Sequence, residues 1–194
     1  MREISLDRSG YETPELAVFF GSKFLKNLTS LELIADDDNG HVGPDGVEVL
    51  SKTRNLPALR HLDLSFNWCS WDYPDQASWV RALLKGRLVG RLESLWLRST
   101  DLEDTGAELL ANSKLVRTLR HLNLSGNRIG EAGLRAIATS TNFQALSILD
   151  LRDNWYDDDG PDLTGWVQGC RELLEERFGN RLLLDGKPEP HPLP

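Results

Sequence analysis

Leucines recur along this chain in one short phrase, Leu-x-x-Leu-x-Leu. It is filled by Leu28/Leu31/Leu33, Leu59/Leu62/Leu64, Leu92/Leu95/Leu97, Leu119/Leu122/Leu124 and Leu146/Leu149/Leu151. Weaker copies flank the series: Ile4 and Leu6 at the start, Leu182 and Leu184 near the end. Between middle positions the intervals are 27, 31, 33, 27, 27 and 33 residues. A repeat of roughly 20–50 residues is the signature of a stacked architecture.

The phrase itself has the period of a strand. In "LRHLNLSGN", Leu122 and Leu124 fall on one side and Asn123 on the other. That alternation predicts a short strand with one buried face. The following "RIGEAGLRAIATS" changes period: Leu134, Ile137 and Ala138 stand at i, i+3 and i+4, the stripe of a core-facing helix. Val42, Gly46, Val47, Leu50 and Ser51 repeat the pattern, as do Leu102, Gly106, Ala107, Leu110 and Ala111.

Each unit is therefore a strand, a loop, a helix and a return. Neither piece buries its apolar face alone, so units must stack, with parallel strands on one side and helices on the other. Helices are wider than the ~4.8 Å strand spacing, so the stack should curve with the sheet inside. The expected fold is an α/β solenoid, an arc or horseshoe. Its seven parallel strands should centre on Ile4–Leu6, Leu31–Leu33, Leu62–Leu64, Leu95–Leu97, Leu122–Leu124, Leu149–Leu151 and Leu182–Leu184. A long last helix is expected from the spacing of Trp166, Val167, Cys170, Leu173, Leu174 and Phe178, with Phe178 and Leu182–Leu184 closing the stack. The expected domain runs over residues 1–186, and "KPEPHPLP" (187–194) should be a loose Pro-rich tail.

The pattern Leu-x-x-Leu-x-Leu-x-x-Asn, followed by Ile-Gly-x-x-Gly and a helix, resembles the leucine-rich repeats of the ribonuclease-inhibitor type. "LRHLNLSGNRIGEAGLRAIA" carries it most fully, and the match extends over about residues 2–186. The tail "LLEERFGNRLLLDG" also resembles the closing segment of some bacterial proteins with such repeats. The resemblance implies a horseshoe, an intracellular setting and protein binding on the concave sheet. It also implies a role for Asn67, Asn127 and Asn154, whose amides would bond to loop backbone that is otherwise buried and unpaired. Asp36 and Thr100 replace the asparagine in two repeats. The loop after Leu97 should therefore be less regular.

Bulk composition adds boundaries. The chain has 194 residues and a net charge of −8. An acidic total disfavours nucleic acid and favours a partner with a basic face. No apolar run approaches the ~20 residues of a membrane span. "MREISLDRSG" lacks the apolar stretch of a secretory signal. Two cysteines, Cys69 and Cys170, make no disulfide framework and suit a reducing compartment. The expectation is a cytoplasmic monomer without cofactor.

Candidate chemistry is sparse. His61 and His121 share a position two repeats apart, so their rings should lie ~9–10 Å apart, too far for one metal ion alone. Asp36-Asp37-Asp38-Asn39-Gly40 and Asp157-Asp158-Asp159-Gly160 are oxygen-rich but lack the spacing of a calcium loop. No phosphate loop or nucleophile motif occurs. "WCSWDYPDQASW" places Trp68, Trp71, Tyr73 and Trp79 on a strand-to-helix loop, an edge both acidic and aromatic. Trp79 has a plainer role open to it, covering the core.

The concave surface remains as the candidate site. By register its central column is Ser5, Glu32, Asp63, Trp96, Asn123, Asp150 and Leu183. His61 and His121 belong to the column before; Arg98 and Arg152 belong to the one after. Tryptophan and arginine dominate interface hot spots, so Trp96 is the candidate anchor. The expected partner-binding set is Glu32, His61, Asp63, Trp96, Arg98, His121, Asn123, Asp150 and Arg152, with Trp68 and Trp71 on the edge. Two functional readings follow: a non-catalytic module that binds another protein, or a regulator of a partner enzyme, as in GTPase-activating proteins built on such repeats. In the second, Arg128 on an edge loop would face phosphate.

Overall fold

The computed structural model describes residues 2–6, 13–35, 42–67, 75, 77–154 and 164–184, with side chains of the last stretch from 169 onward. Seven strands run in chain order across one sheet: β1 (Glu3–Ser5), β2 (Ser30–Glu32), β3 (His61–Asp63), β4 (Ser94–Trp96), β5 (His121–Asn123), β6 (Ile148–Asp150) and β7 (Leu182–Leu183). Every neighbouring pair is parallel. Six helices separate them: α1 (Thr13–Gly21), α2 (Pro44–Lys52), α3 (Ser78–Leu84), α4 (Glu103–Ala111), α5 (Glu131–Thr139) and α6 (Thr164–Phe178).

The register matches the repeat. Leu31 pairs with Leu62, Leu62 with Leu95, Leu95 with Leu122 and Leu122 with Leu149. The first six strands begin one residue earlier than the leucine pattern predicts, and β7 begins at Leu182 as expected. The second leucine nevertheless keeps a ladder bond: the Leu97 N–H donates to the Asn123 carbonyl at 2.9 Å, and the Leu124 N–H to Asp150 at 2.8 Å. The chain turns immediately afterwards, which ends the strand by one residue's definition.

The paired leucines of every full repeat are buried against the helix stripes, where Val47, Leu50, Leu110, Leu134 and Ile137 meet them. Trp79 joins this core on α3. Close approach of adjacent rungs leaves no room for a Cβ at several glycines, among them Gly86, where it would stand 2.3 Å from Ser51 Cβ, and Gly133. A Cβ on Gly133 would stand 2.6 Å from Ile129 Cγ2 and 2.8 Å from Asp104 Oδ1. That carboxylate accepts from the Gly130 and Gly133 N–H groups at 2.7 and 2.9 Å, so one rung caps the next rung's helix.

At the C-terminal end the 15-residue α6 covers the stack. Phe178 is buried there with its ring edge-on to Phe143, centroids 6.1 Å apart. The Arg177 and Arg181 guanidinium groups lie over it at 5.2 and 5.7 Å. Leu184 is buried, while Leu182 and Leu183 are only half-buried. The expected 187–194 tail lies outside the described residues.

Candidate interaction surface

A buried asparagine ladder holds the strand-to-helix turns. Asn67 Nδ2 donates to the Leu33, Leu64 and Ser65 carbonyls, and its Oδ1 accepts from the Val42 N–H at 2.7 Å. Asn127 and Asn154 do the same two and three rungs further on. Thr100 stands in this ladder with one hydroxyl, whose single proton is shared between the Leu97 carbonyl and Asn127 Oδ1. Its loop is the irregular one: Ser99, Asp101 and Glu103 all adopt left-handed φ, at 52°, 50° and 53°. Asp36 lies outside the described residues.

Above this ladder the concave columns stand in the expected register, with Glu32, Asp63, Trp96, Asn123 and Asp150 side by side. Their exposure differs from expectation. Asp63, Asn123, Asp150 and Arg152 are buried, at 2%, 8%, 4% and 9% exposure. The physical reason is local. The Ser65 N–H donates to Asp63 Oδ1 at 2.8 Å, the Ser125 N–H to Asn123 Oδ1 at 2.9 Å, and the Arg152 N–H to Asp150 Oδ1 at 3.1 Å. Each acceptor folds back two residues to close the turn leaving its strand. Arg152 Nε also donates to Asp150 Oδ1 at 2.8 Å, and its Nη2 pairs with Oδ2, so this cation is held by its own rung. The Asp/Asn-Leu-Ser/Arg triplets were the sequence signal of these turns.

Trp96 has no acceptor to offer at this place. In its rung the Arg98 N–H donates instead to Ser65 Oγ of the neighbouring rung, at 3.3 Å. The indole stands on β4, the middle strand, on the face away from the leucine core. It is half-buried rather than fully exposed, and its Nε1 is covered. Arg98 is exposed, with its guanidinium over the Phe66 ring at 5.4 Å. Glu32 is half-buried two strands away, on β2. Trp68 and Trp71 lie outside the described residues.

His61 and His121 sit on β3 and β5 with Ser94 of β4 between them in register. Ser94 Oγ and His121 Nδ1 share a hydrogen bond at 3.1 Å. Burial is the main force holding the His61 imidazole below its usual pKa, aided by His121 and Arg60 and opposed by Glu93 and Glu3. Among the described residues no group of three His, Cys, Asp or Glu is placed to hold a metal ion. Arg128 is engaged at the edge with Asp101, at 3.7 Å. Cys170 is buried and free, its thiol pushed up mainly by burial. No described helix is long and apolar enough to cross a membrane.

A parallel sheet of leucine rungs, with buried asparagines holding the strand-to-helix turns, is the architecture of the leucine-rich repeat fold. The family described as Leucine Rich repeat matches residues 117–138, the fifth rung with its helix. In fold, the chain is similar to a protein of Bacteroides fragilis solved as a structural genomics target. The two are 20% identical with a TM-score of 0.61 over 81% of this chain, which spans 43% of the length of that one. No curated protein matches the sequence.

Proposed function

We propose that this chain is a non-catalytic module that holds another protein on its concave sheet, inside the cell. The observation that carries the reading is Trp96. It sits half-buried on the central strand, on the face away from the leucine core, where a wide ring can meet a partner. Arg98, exposed beside it, is the second contact group, and His61, His121 and Glu32 form the polar surround. A buried aromatic anchor with a polar rim is the usual anatomy of a hot spot. Asp63, Asn123, Asp150 and Arg152 support this surface from below as struts.

The test is capture of partners from lysate, followed by affinity measurement with the purified partner. Trp96→Ala should weaken binding at least about tenfold, equivalent to ~1.4 kcal/mol, while leaving the unfolding midpoint nearly unchanged. Unchanged affinity, or loss of the fold, would remove Trp96 from the interface.

A further inference from the structure

The acidic total conceals a division of charge. Six segments carry the chain from a helix back to the next strand: 22–29, 53–60, 85–93, 112–120, 140–147 and 179–181. Together they hold eleven of the 22 Lys and Arg but only one of the 30 Asp and Glu, namely Glu93. The density is greatest on two adjacent rungs. Lys85, Arg87 and Arg91 enter β4, and Lys114, Arg117 and Arg120 enter β5; all six are exposed.

Helix dipoles do not account for this. Their effect ends within the last helical turn. Of the helices that lead into these two segments, α3 has Arg81 in its last turn and Lys85 at its C-cap, whereas α4 has no basic residue in its last turn. The other five cations, Arg87, Arg91, Lys114, Arg117 and Arg120, lie beyond the helix ends. Nor do internal ion pairs. Among the described residues the only carboxylate pairing on these segments is Arg60 with Glu93, at 3.8 Å.

The backbone under the cations is fixed. The Thr29 N–H donates to the Arg2 carbonyl at 2.8 Å, Arg60 to Thr29 at 2.9 Å, Glu93 to Arg60 at 2.7 Å and Arg120 to Glu93 at 2.7 Å. One bonded rail thus joins five rungs, so the chain need not be ordered when a ligand arrives.

We infer that this rail, centred on residues 85–93 and 112–120, is a second docking surface, for an acidic polypeptide segment of a partner protein. A short acidic segment responds to charge within the ~8 Å screening length of physiological salt, where the cations of the rail outnumber Glu93 and the nearby Glu48. A long nucleic acid would also meet the rest of a chain whose net charge is −8. The two central segments carry no aromatic ring on which bases could stack.

Labelled polyglutamate titrated into the full chain at low salt, read by fluorescence anisotropy, tests the rail. Binding should weaken as salt rises. The triple variant Arg91→Glu, Lys114→Glu, Arg120→Glu should lose at least about tenfold in affinity. Lys52→Glu, Arg135→Glu, Arg171→Glu changes net charge equally on helix surfaces and should bind nearly as wild type. Trp96→Ala should also bind polyglutamate normally, which separates this surface from the concave one. Absence of binding, equal losses in both triple variants, or tighter binding of an oligothymidine of matched charge would overturn the inference.

Discussion

Asn127 Oδ1 accepts the Thr100 N–H across adjacent rungs at 2.8 Å, with both residues buried. The same oxygen accepts from the Thr100 hydroxyl and the Leu102 N–H, and Nδ2 donates to the Leu97 and Ser125 carbonyls. One amide therefore satisfies five groups that water cannot reach. Each buried group left unpaired costs about 1–3 kcal/mol. Asn127→Ala should lower unfolding free energy by about 3 kcal/mol or more in denaturant titration. Asn112→Ala, which removes one exposed bond to the Glu108 carbonyl, should change it by about 0.5 kcal/mol or less. Similar losses in the two would refute the ladder's role.

Two glycine substitutions should act with opposite sign. A methyl on Gly133 meets Ile129 and the capping carboxylate of Asp104, so Gly133→Ala should destabilise by about 1–3 kcal/mol. Gly169 lies exposed within α6 with nothing within 4 Å of a new Cβ. Gly169→Ala should therefore stabilise by about 0.5–1 kcal/mol through helix propensity. Thermal unfolding of both variants decides the matter.

Burial changes what Asp150 is expected to do. Its side chain is 5% exposed and that of its partner Arg152 is 10% exposed. Removing one member of a buried pair costs about 3–5 kcal/mol, because the other charge stays behind. Asp150→Ala should thus lower stability on that scale, as read by chemical denaturation. A loss under ~1 kcal/mol would return Asp150 to the exposed, partner-facing role that the column pattern alone suggests.

The His61 imidazole is held low in the folded chain, first by burial. As pH falls through the unfolded value of about 6.5, the unfolded chain takes up this proton first. Stability contributed by neutral His61 is present above that pH and drains as acidification proceeds toward the lower folded value. NMR titration should place the His61 midpoint below about 6.5. His61→Gln should flatten the slope of stability between neutral and mildly acidic pH. A midpoint at or above the ordinary histidine value would contradict this.

The leucine phrase by itself determined the strand order, the parallel pairing and the column register, because a period-2 pattern recurring at near-constant intervals admits only one stacking that buries every leucine. Asn67, Asn127 and Asn154 were legible for the same reason: a turn that leaves buried backbone groups needs an amide at that place. The column Asp63, Trp96, Asn123 and Asp150 was legible as a column, but not as three struts and one ring. Only the tertiary structure decided that, since a short acceptor can fold back to close its own turn and an indole cannot. The sign of the rail was equally hidden. Total charge averages over the surface, and folding sorted eleven cations onto one edge by returning every helix to its next strand along the same side.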